Sequence, residues 1–381
     1  MAEDPKLIVF IIKDVGEGET RAAATPETVK AMIEHGLEVH VEAGAGERSS
    51  FSDEEYKKAG AVIGHDKLYS SADIILAVNP PLHHHMKENA CWLSFMDVSS
   101  SLDIIKTMAD KKITCFSMNL IPRISRAQKM DALTSQANIG GYKAVIMAAN
   151  ELGKIFPLMM TAAGTLHPAK VVILGAGVAG LQAIATAKRL GALVEASDVR
   201  PSVKEQVESL GAKFIEVKFD KDAEDKGGYA KAASPEFLKR QAEEVSKRVA
   251  NADIVICTAL VPGKKAPILV TEEMVKSMKA GSVIVDMAAV QGGNCALTEP
   301  GEIAVKHGVK IIGVKNIPAT VPVHSTQMYA KNIFALLSTI IKAGKLHIDL
   351  TDEIIAGSLV THEGRIINET AAKELQKGGA A

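Results

Sequence analysis

A glycine-rich segment near the middle of the chain constrains the fold more than any other part of the sequence. The apolar stretch Val171–Leu174 leads directly into Gly175, Gly177 and Gly180, and an alanine-rich stretch follows. In a strand–turn–helix unit the first glycine takes the tight turn, the second lets a pyrophosphate approach the backbone, and the third allows close helix packing. Free N–H groups at the helix start then face the phosphates. The segment predicts a dinucleotide-binding Rossmann turn, and a structural turn that binds nothing is the alternative.

An acidic residue stands where such a turn would bind the adenosine ribose. Asp198 follows the predicted strand Leu193–Ser197, and a carboxylate there accepts hydrogen bonds from the ribose hydroxyls and repels a 2′-phosphate. Arg200 complicates the choice of nucleotide, because an arginine can accommodate that phosphate. Since Asp198 holds the position at the strand end, the sequence favours NAD over NADP.

Strand-like and helix-like stretches alternate along most of the chain. Apolar runs bounded by turn residues predict strands, and apolar residues spaced by three and four predict helices. The predicted strands are Leu7–Ile12, Glu38–Glu42, Ile74–Val78, Ala90–Phe95, Thr114–Ser117, Val171–Leu174, Leu193–Ser197, Ile254–Thr258 and Ser282–Asp286. The predicted helices are Pro26–His35, Asn138–Phe156, Ala179–Leu190 and Met328–Ala343. Repeated β-α-β order implies mostly parallel sheets covered by helices.

The length of the chain suits two domains. It has 381 residues, whereas single cores stop growing near about 250–300 residues. We place one boundary on the long helix that begins near Asn138, and we expect the last predicted helix to return the chain to the first domain. The tail beyond Asn368 is expected to fray. The prediction is an α/β fold with two Rossmann-like, doubly wound parallel-sheet domains joined by long helices: residues 1–138 with 328–381, and residues 139–327.

Composition and charge argue against several classes of partner. The formal net charge is −1 at pH 7, so no basic surplus favours nucleic acid. No apolar run reaches the ~18 residues of a membrane span, and the acidic N-terminus lacks a signal-peptide pattern. We therefore predict no direct membrane insertion. Scattered cysteines argue against disulfides and zinc, and the adjacent His83–His85 cannot converge on one ion, so no metal site is predicted.

The most specific motif in the chain is a polar segment that precedes the long helix. From Pro122 to Asn138 it reads PRISRAQKMDALTSQAN, and it closely resembles a motif in the NAD(H)-binding component, or domain I, of proton-translocating NAD(P) transhydrogenases. Other stretches that resemble this family, besides the glycine-rich turn, are Met159–Thr165, Asp198–Arg200, Gly227–Lys231, Thr258–Gly263 and Gly292–Cys295. The likeness spans nearly the whole chain.

The resemblance implies where a nucleotide would be held. It places Arg123, Gln128, Asp131 and Thr134 around the nicotinamide, with Thr134 where serine is more familiar. Along the rest of the nucleotide, beside the three glycines, it places Val178, Asp198, Val199, Arg200, Gly228, Thr258, Ala259 and Leu260, with Tyr229 on a closing loop. The chemistry is compatible, because a carboxamide needs donors and acceptors together and an arginine adds a fixed cationic fork. Without the resemblance, the first group would suit an ordinary polar helix N-terminus.

Alanine dehydrogenases share this architecture and are the main alternative. Oxidation of an amino acid requires a proton acceptor beside the reacting carbon, and that family carries a lysine in a strand before a proline and a histidine in the next strand. The corresponding stretches here, Leu76–Pro80 and Leu93–Asp97, contain neither. Val290 replaces an acid of that family, and only Arg21 of its substrate residues remains. These absences favour the transhydrogenase, while a non-catalytic NAD-binding regulator is a further alternative.

The expected reaction is transfer of a hydride from NADH on this chain to NADP⁺ on a partner, coupled to proton translocation. Because the sequence has one good dinucleotide motif, the NADP(H) site is expected on another subunit. The resemblance further implies Re/Si specificity, activity only with membrane-spanning and NADP(H)-binding subunits, and a homodimer. The expected location is cytoplasmic, peripheral on the inner face of the cell membrane through those subunits. A charged, glycine-containing insertion at Lys218–Glu236 is predicted to be a mobile loop that carries Tyr229.

Overall fold

The computed structural model of the chain describes residues 5–65, 69–80, 86–217, 234–261, 263 and 265–378. Within these ranges the strands are β1 (Ile8–Ile11), β2 (Glu38–Glu42), β3 (Val62–Gly64), β4 (Ile74–Leu76), β5 (Cys91–Ser94), β6 (Thr114–Ser117), β7 (Met159–Thr161), β8 (Gly164–Leu166), β9 (Lys170–Leu174), β10 (Leu193–Ser197), β11 (Lys213–Phe214), β12 (Ile254–Cys257), β13 (Val283–Asp286), β14 (Ile303–Lys306), β15 (Val309–Ile312), β16 (Ile341–Lys342), β17 (Lys345–Leu346), β18 (Leu359–His362) and β19 (Arg365–Ile366). The α-helices in the same ranges are α1 (Pro26–Glu34), α2 (Asp53–Lys58), α3 (Leu102–Asp110), α4 (Ala132–Glu151), α5 (Val178–Arg189), α6 (Val203–Ser209), α7 (Pro235–Val249), α8 (Glu272–Ser277), α9 (Pro322–Ile340), α10 (Glu353–Ser358) and α11 (Glu369–Gly378). Of the helices described, none combines the length and the apolarity that a membrane span requires.

The chain divides into two compact units, Met1–Gln136 with Ala319–Ala381, and Ala137–Pro318. The first division falls within α4, close to the predicted one. The second lies at residues 318 and 319 rather than 327 and 328, so all of α9 belongs to the first unit. The reason is visible at the start of α9, where the carbonyl oxygen of Ser325 accepts a hydrogen bond from Gln136 Nε2 at 3.1 Å, and Thr326 Oγ1 accepts one from the N–H of Ala22, also at 3.1 Å.

The first unit is built on an eight-stranded sheet in the order β19-β18-β6-β5-β4-β1-β2-β3. Strands β1 to β6 run parallel, whereas β18 is antiparallel to β6 and β19 to β18. The strand order reverses beside β1, because β2 and β3 lie on one side of it and β4, β5 and β6 on the other. Doubly wound sheets form a crevice at the carboxyl ends of the strands at such a switch point.

The central strands of this sheet are covered on both faces. Every residue of β4, β5 and β6 is buried, as parallel strands between helical layers require. Helix α9 packs Tyr329, Ile333 and Leu337, spaced by four residues, into the core on one face. Helix α1 begins where Thr25 accepts a hydrogen bond from the N–H of Thr28, which satisfies one of the free donors at the helix start.

The second unit is built on a seven-stranded sheet in the order β11-β10-β9-β12-β13-β15-β14. All its strand pairs are parallel except that of β14 with β15. The order reverses beside β9, with β10 on one side and β12 on the other. The glycine-rich turn directly follows β9 and therefore lies at the carboxyl end of the switch-point strand.

The structure confirms the predicted α/β class and the Rossmann-like sheets, with differences at the margins. Antiparallel strands β14, β18 and β19 extend edges that the sequence analysis did not predict. The tail beyond Asn368 does not fray throughout: Glu369–Gly378 forms α11, with the Asn368 side chain accepting a hydrogen bond from the N–H of Ala371 at 3.0 Å. The predicted loop at Lys218–Glu236 lies mostly outside the described residues, and helix α7 begins at Pro235.

Candidate nucleotide-binding site

The turn after β9 requires glycine at its first position. Gly175 has a φ of +100°, in the left-handed region that side chains disfavour. Its N–H donates to the carbonyl oxygen of Ser197 at 2.9 Å, and a Cβ atom here would lie 2.6 Å from Thr258 Oγ1. The Thr258 hydroxyl in turn donates to the carbonyl oxygen of Gly175 at 2.9 Å. The turn is therefore held between the ends of β10 and β12.

The other two glycines of the turn differ in what surrounds them. A Cβ atom on Gly180 would lie 1.9 Å from the carbonyl oxygen of Gly175, so helix α5 packs against the turn at a distance that only glycine permits. A Cβ atom on Gly177 would have Arg200 Nη2 at 3.9 Å as its nearest described neighbour beyond the adjoining residues. The described residues thus leave the space beside the Cα atom of Gly177 largely open.

The start of α5 suits an anion. Gly177 is the N-cap residue and provides no side-chain cap, and the first helical hydrogen bond joins the N–H of Leu181 to the carbonyl oxygen of Gly177 at 2.8 Å. The N–H groups before Leu181 lie outside the helical ladder, and together with the helix dipole they favour negative charge. Val178, partly exposed, begins the helix. Helix α4 supports this end of α5, since a Cβ atom on Gly141 would lie 2.2 Å from the carbonyl oxygen of Ala179.

Asp198 and Arg200 form a close pair at the end of β10. Asp198 Oδ1 accepts from Arg200 Nε and Oδ2 from Arg200 Nη2, both at 3.0 Å. Asp198 Oδ2 also accepts from the N–H of Ala176 at 2.7 Å, which ties the carboxylate to the glycine turn. The Asp198 side chain is 7% exposed and that of Arg200 19%, with Val199 between them. The carboxylate expected at the ribose is therefore present, but its charge is paired with the arginine that could otherwise receive a phosphate.

The segment that follows β12 carries the remaining predicted residues of this unit. Thr258 contacts the glycine turn, and the backbone of Ala259 is held by the side chain of Asn294. Leu260 is partly exposed beyond them. Asn294 belongs to a motif that the sequence analysis used only for the resemblance, so its structural role was missed. Gly228 and Tyr229 lie outside the described residues, as do His83–His85; among the residues that are described, no group of His, Cys, Asp and Glu could hold a metal ion.

In the first unit, Asp131 and Thr134 contact each other at the start of α4. Asp131 Oδ1 accepts from the N–H of Thr134 at 2.9 Å and Oδ2 from its hydroxyl at 2.6 Å. This is helix capping, and it explains why α4 begins at Ala132 rather than at the predicted Asn138. The polar helix N-terminus considered as an alternative is thus present at these two residues.

The segment before α4 is fixed by residues on other elements of the first unit. Ser125–Met130 forms a 3₁₀-helix, and Arg126 donates from Nη1 and Nη2 to the Asp352 carboxylate at 2.6 and 2.8 Å. This pairing lowers the pKa of Asp352 to about 2. Asn332 on α9 donates to the carbonyl oxygen of Lys129 at 2.8 Å and accepts from the Ser135 hydroxyl at 2.7 Å.

Two of the residues that the resemblance assigned to the nicotinamide are exposed on this fixed segment. Arg123 lies before the 3₁₀-helix and Gln128 within it. The side-chain amide of Gln128 forms no hydrogen bond with the described residues, so both its donor and its acceptor are available. The structure therefore presents Gln128 on a rigid support without using its amide internally.

Comparison with known proteins decides the family. The profile described as "Alanine dehydrogenase/PNT, N-terminal domain" matches residues 10–140, and "Alanine dehydrogenase/PNT, C-terminal domain" matches residues 144–369. The chain belongs to the alanine dehydrogenase/PNT family.

Within this family the chain is more similar to transhydrogenases. It is 47% identical over 374 residues to the first part of the NAD(P) transhydrogenase alpha subunit of Rhodospirillum rubrum, which covers 94% of this chain and 97% of that protein. The crystal structure of a transhydrogenase from Sinorhizobium meliloti matches with a TM-score of 0.87 at 45% identity, over 94% of this chain and 99% of that one. The alanine dehydrogenase of Bacillus subtilis is a more distant relative, 29% identical over 381 residues, covering 97% of this chain and 95% of that protein.

The switch-point crevice of the first unit contains a buried ion pair. Arg21, the one residue retained from the amino-acid site, is buried, and its Nε and Nη2 donate to the two carboxylate oxygens of Glu19 at 2.8 and 2.7 Å. Its Nη1 donates to Gln136 Oε1 at 2.9 Å, and its guanidinium lies 5.8 Å from the centre of the Phe95 ring. The Nε, Nη1 and Nη2 atoms of Arg21 are thus all paired with side chains of the first unit.

A second carboxylate extends this buried network. Asn79 donates to Asp14 Oδ1 at 3.0 Å and to Glu19 Oε2 at 3.1 Å, and Asp14 also accepts from the N–H groups of Val78 and Asn79. Burial raises the pKa of Asp14 to about 6 although these donors oppose the rise. Asp14, Asn79, Glu19 and Arg21 thus belong to one hydrogen-bonded network.

Proposed function

We propose that this chain is the NAD(H)-binding subunit of a proton-translocating NAD(P) transhydrogenase, and that it passes a hydride from NADH to NADP⁺ held by a partner subunit. The observation that carries the proposal is that Leu76–Pro80 and Leu93–Asp97 contain neither the lysine nor the histidine that an alanine dehydrogenase would need for its substrate. The greater identity to transhydrogenase subunits supports the same conclusion.

The proposed reaction makes modest chemical demands on the protein. A hydride that moves between two nicotinamide rings leaves no proton to be removed at the reacting carbons, so no side chain need act as an acid or base. The protein must bring the reacting carbons of the two rings to within about 3–3.5 Å of each other, and it must exclude water. The absence of the lysine and the histidine of the alanine dehydrogenases is consistent with that demand.

The second unit would bind the adenosine and pyrophosphate portions. Gly175, Gly177 and Gly180 would hold the pyrophosphate at the start of α5, and Asp198 would accept hydrogen bonds from the ribose hydroxyls. The remaining residues proposed to line the nucleotide are Val178, Val199, Arg200, Thr258, Ala259 and Leu260. Gly228 and Tyr229 are proposed to belong to a loop that closes over it.

The nicotinamide would be oriented by residues of the first unit. Gln128 offers a free donor and a free acceptor to the carboxamide. Thr134 has already donated its hydroxyl hydrogen to Asp131, so both residues would act as acceptors for the carboxamide N–H groups. Arg123 would add a cationic donor. The resemblance assigns these roles, and the geometry of each residue is compatible with them.

The partners and the location follow from the same proposal. We infer membrane-spanning and NADP(H)-binding subunits, Re/Si specificity, and activity only when these subunits are present. The chain would then lie on the cytoplasmic side, peripheral on the inner face of the cell membrane. The name of the Rhodospirillum rubrum relative, which describes it as a portion of one subunit, supports an assembly of this kind.

The decisive experiment compares Gln128→Asn with the wild type in single-turnover hydride transfer to an NADP(H)-binding subunit. We expect the rate to fall about 100-fold, because an error of 1 Å in the ring position can cost that much, while the NADH affinity changes little. Gln206→Asn, the same shortening on the exposed face of α6, is the matched control. Normal transfer by Gln128→Asn would remove this segment from the site. Steady production of NADH from NAD⁺ and alanine by the purified wild-type chain would instead favour the alanine dehydrogenase alternative.

We also propose a homodimer, supported by an exposed apolar hairpin in the second unit. Strands β7 and β8 pair with each other and every one of their residues is exposed, with Met160 76% exposed. A two-stranded hairpin with apolar side chains in water is marginal on its own, so a second copy of the chain would stabilise it.

Sedimentation of Met160→Glu tests the dimer. We expect the wild type to sediment as a dimer. We expect the dissociation constant of the Met160→Glu dimer to be at least about tenfold higher, since the interface would then have to bury an unpaired charge. Leu238→Glu, on the exposed side of α7, should leave the dimer intact. A monomeric wild type, or a Met160→Glu dimer of unchanged strength, would refute the proposal.

A further inference from the structure

A fully buried asparagine lies behind the nucleotide-binding turn of the second unit. Asn294 Oδ1 accepts from the N–H of Ala259 at 3.0 Å, and Asn294 Nδ2 donates to the carbonyl oxygen of the same residue at 2.9 Å. The side-chain amide therefore pairs with both the backbone N–H and the carbonyl oxygen of one residue, as a neighbouring strand would. Its second N–H donates to the carbonyl oxygen of Pro267 at 2.8 Å, so both donors and the acceptor of the amide are used.

The backbone of Asn294 is fixed as firmly as its side chain. Its carbonyl oxygen accepts from the N–H groups of Leu269 and Val270 at 2.8 and 3.0 Å. The neighbouring Cys295 forms a parallel bridge with Val270. Asn294 thus joins the segment after β12 to the segment before α8.

A buried carboxylate holds the loop that contains Asn294. Asp286, the last residue of β13, is fully buried and accepts from the N–H groups of Ala288 and Cys295 at 3.0 and 2.9 Å. It also accepts from the hydroxyl of Thr298 at 2.6 Å. Gly293, with a φ of +87°, lets the loop pass close to this carboxylate, because a Cβ atom there would lie 2.7 Å from Asp286 Oδ2.

These contacts lead directly to the glycine turn. Asn294 fixes Ala259, and the preceding Thr258 donates its hydroxyl to the carbonyl oxygen of Gly175 at 2.9 Å. Any shift of Ala259 would move Thr258, and Thr258 is the neighbour that a Cβ atom on Gly175 would meet first. The position of the turn therefore depends on the asparagine amide.

We propose that Asn294 is a positioning residue for nucleotide binding, which acts through Ala259 and Thr258 on the glycine turn that receives the pyrophosphate. The proposal rests on the proposed function of the second unit in binding NAD(H). An amide is required because the site offers one N–H donor and two carbonyl acceptors. A carboxylate could accept from Ala259 but would face the carbonyl oxygens of Ala259 and Pro267 with no hydrogen to donate.

Titration of the full chain with NAD⁺ between pH 5 and pH 8 tests the proposal with Asn294→Asp. At pH 8 we expect the ionised side chain to weaken binding roughly tenfold, the size that corresponds to one lost hydrogen bond. Burial and the facing carbonyls favour the protonated acid, and a protonated acid has one hydrogen to donate. Its affinity should therefore return toward the wild-type value at pH 5. Asn251→Asp, the same change at an exposed position, should follow the wild type at every pH.

The outcomes separate this inference from the function on which it rests. Wild type that fails to bind NAD⁺ would refute the proposed function. If the wild type binds NAD⁺, two results for Asn294→Asp would refute only the positioning role. One is an affinity at pH 8 equal to that of the wild type, and the other is an affinity weakened by the same factor at pH 5 and at pH 8. If Asn294→Asp does not fold at pH 8, Thr258→Val serves instead. It keeps the shape but lacks the hydroxyl, so we expect several-fold weaker binding, and unchanged affinity would refute the inference.

Discussion

Gly180→Ala is expected to destabilise the second unit, whereas Gly177→Ala is expected to fold and to lose nucleotide binding. At Gly180 the added methyl group would lie 1.9 Å from the carbonyl oxygen of Gly175, and the main chain would have to move. We expect a loss of about 3 kcal/mol or more in the free energy of unfolding, at the upper end of what overpacking costs. Denaturant unfolding of both variants measures the difference.

At Gly177 the same methyl group has room within the protein. The residue is the N-cap of α5 with a φ of −76°, which alanine can adopt, so we expect a loss of about 1 kcal/mol at most. The methyl group would instead occupy the space proposed for the pyrophosphate, and we expect NADH affinity to fall by about 100-fold, equivalent to ~3 kcal/mol. Calorimetric titration measures it. If Gly177→Ala binds NADH as well as the wild type, the turn does not hold the pyrophosphate.

Asp198→Ala is expected to change the nucleotide preference rather than only to weaken binding. Loss of a charged hydrogen bond to the ribose should weaken NADH binding by about 1.5–3 kcal/mol, or roughly 10–100-fold. The same change removes the bidentate partner of Arg200, whose guanidinium can then pair with a 2′-phosphate. We therefore expect NADPH to bind more tightly, so the ratio of the two affinities should change by more than the loss of NADH affinity alone.

The double variant Asp198→Ala with Arg200→Ala is the control for this explanation. It should retain the loss of NADH affinity but show no gain for NADPH. A gain that persists without Arg200, or no gain in the single variant, would mean that Asp198 selects NAD by another route. The structural pairing thus refines the sequence argument: Asp198 selects against the phosphate by occupying Arg200 as well as by its own charge.

Much of the fold follows from local patterns that the sequence displays. Glu38–Glu42, Thr114–Ser117 and Leu193–Ser197 were predicted with the bounds observed, because short apolar or alternating stretches bounded by turn residues are typical of strands. Strand β14 was missed because it carries no such pattern. In β14 exposed residues alternate with half-buried ones, and its pairing with β15 depends on a turn in which His307 and Gly308 both have positive φ.

The candidate site was predictable to the extent that its residues are close in sequence. The spacing of the glycines predicted Gly175 as the turn and Gly180 as the point of close packing, and both have the predicted geometry. Asn294 and Asp286 could not be found this way, since they act on residues that only the folded sheet brings near. At Asp131 the motif drew attention to a ligand role, although the same residue caps α4.

The pairing of Glu19 with Arg21 has a consequence for what the first unit can recognise. Glu19 competes with small carboxylates for the guanidinium of Arg21. Because Glu19 is part of the same chain, its effective concentration at that guanidinium is on the order of millimolar or above. An amino acid would have to displace it and leave a buried charge without a partner, at a cost of about 3–5 kcal/mol. We therefore expect small carboxylates to bind weakly at Arg21. A chain of this kind could regain such a substrate only if Glu19 no longer paired with Arg21 and the missing lysine and histidine were restored.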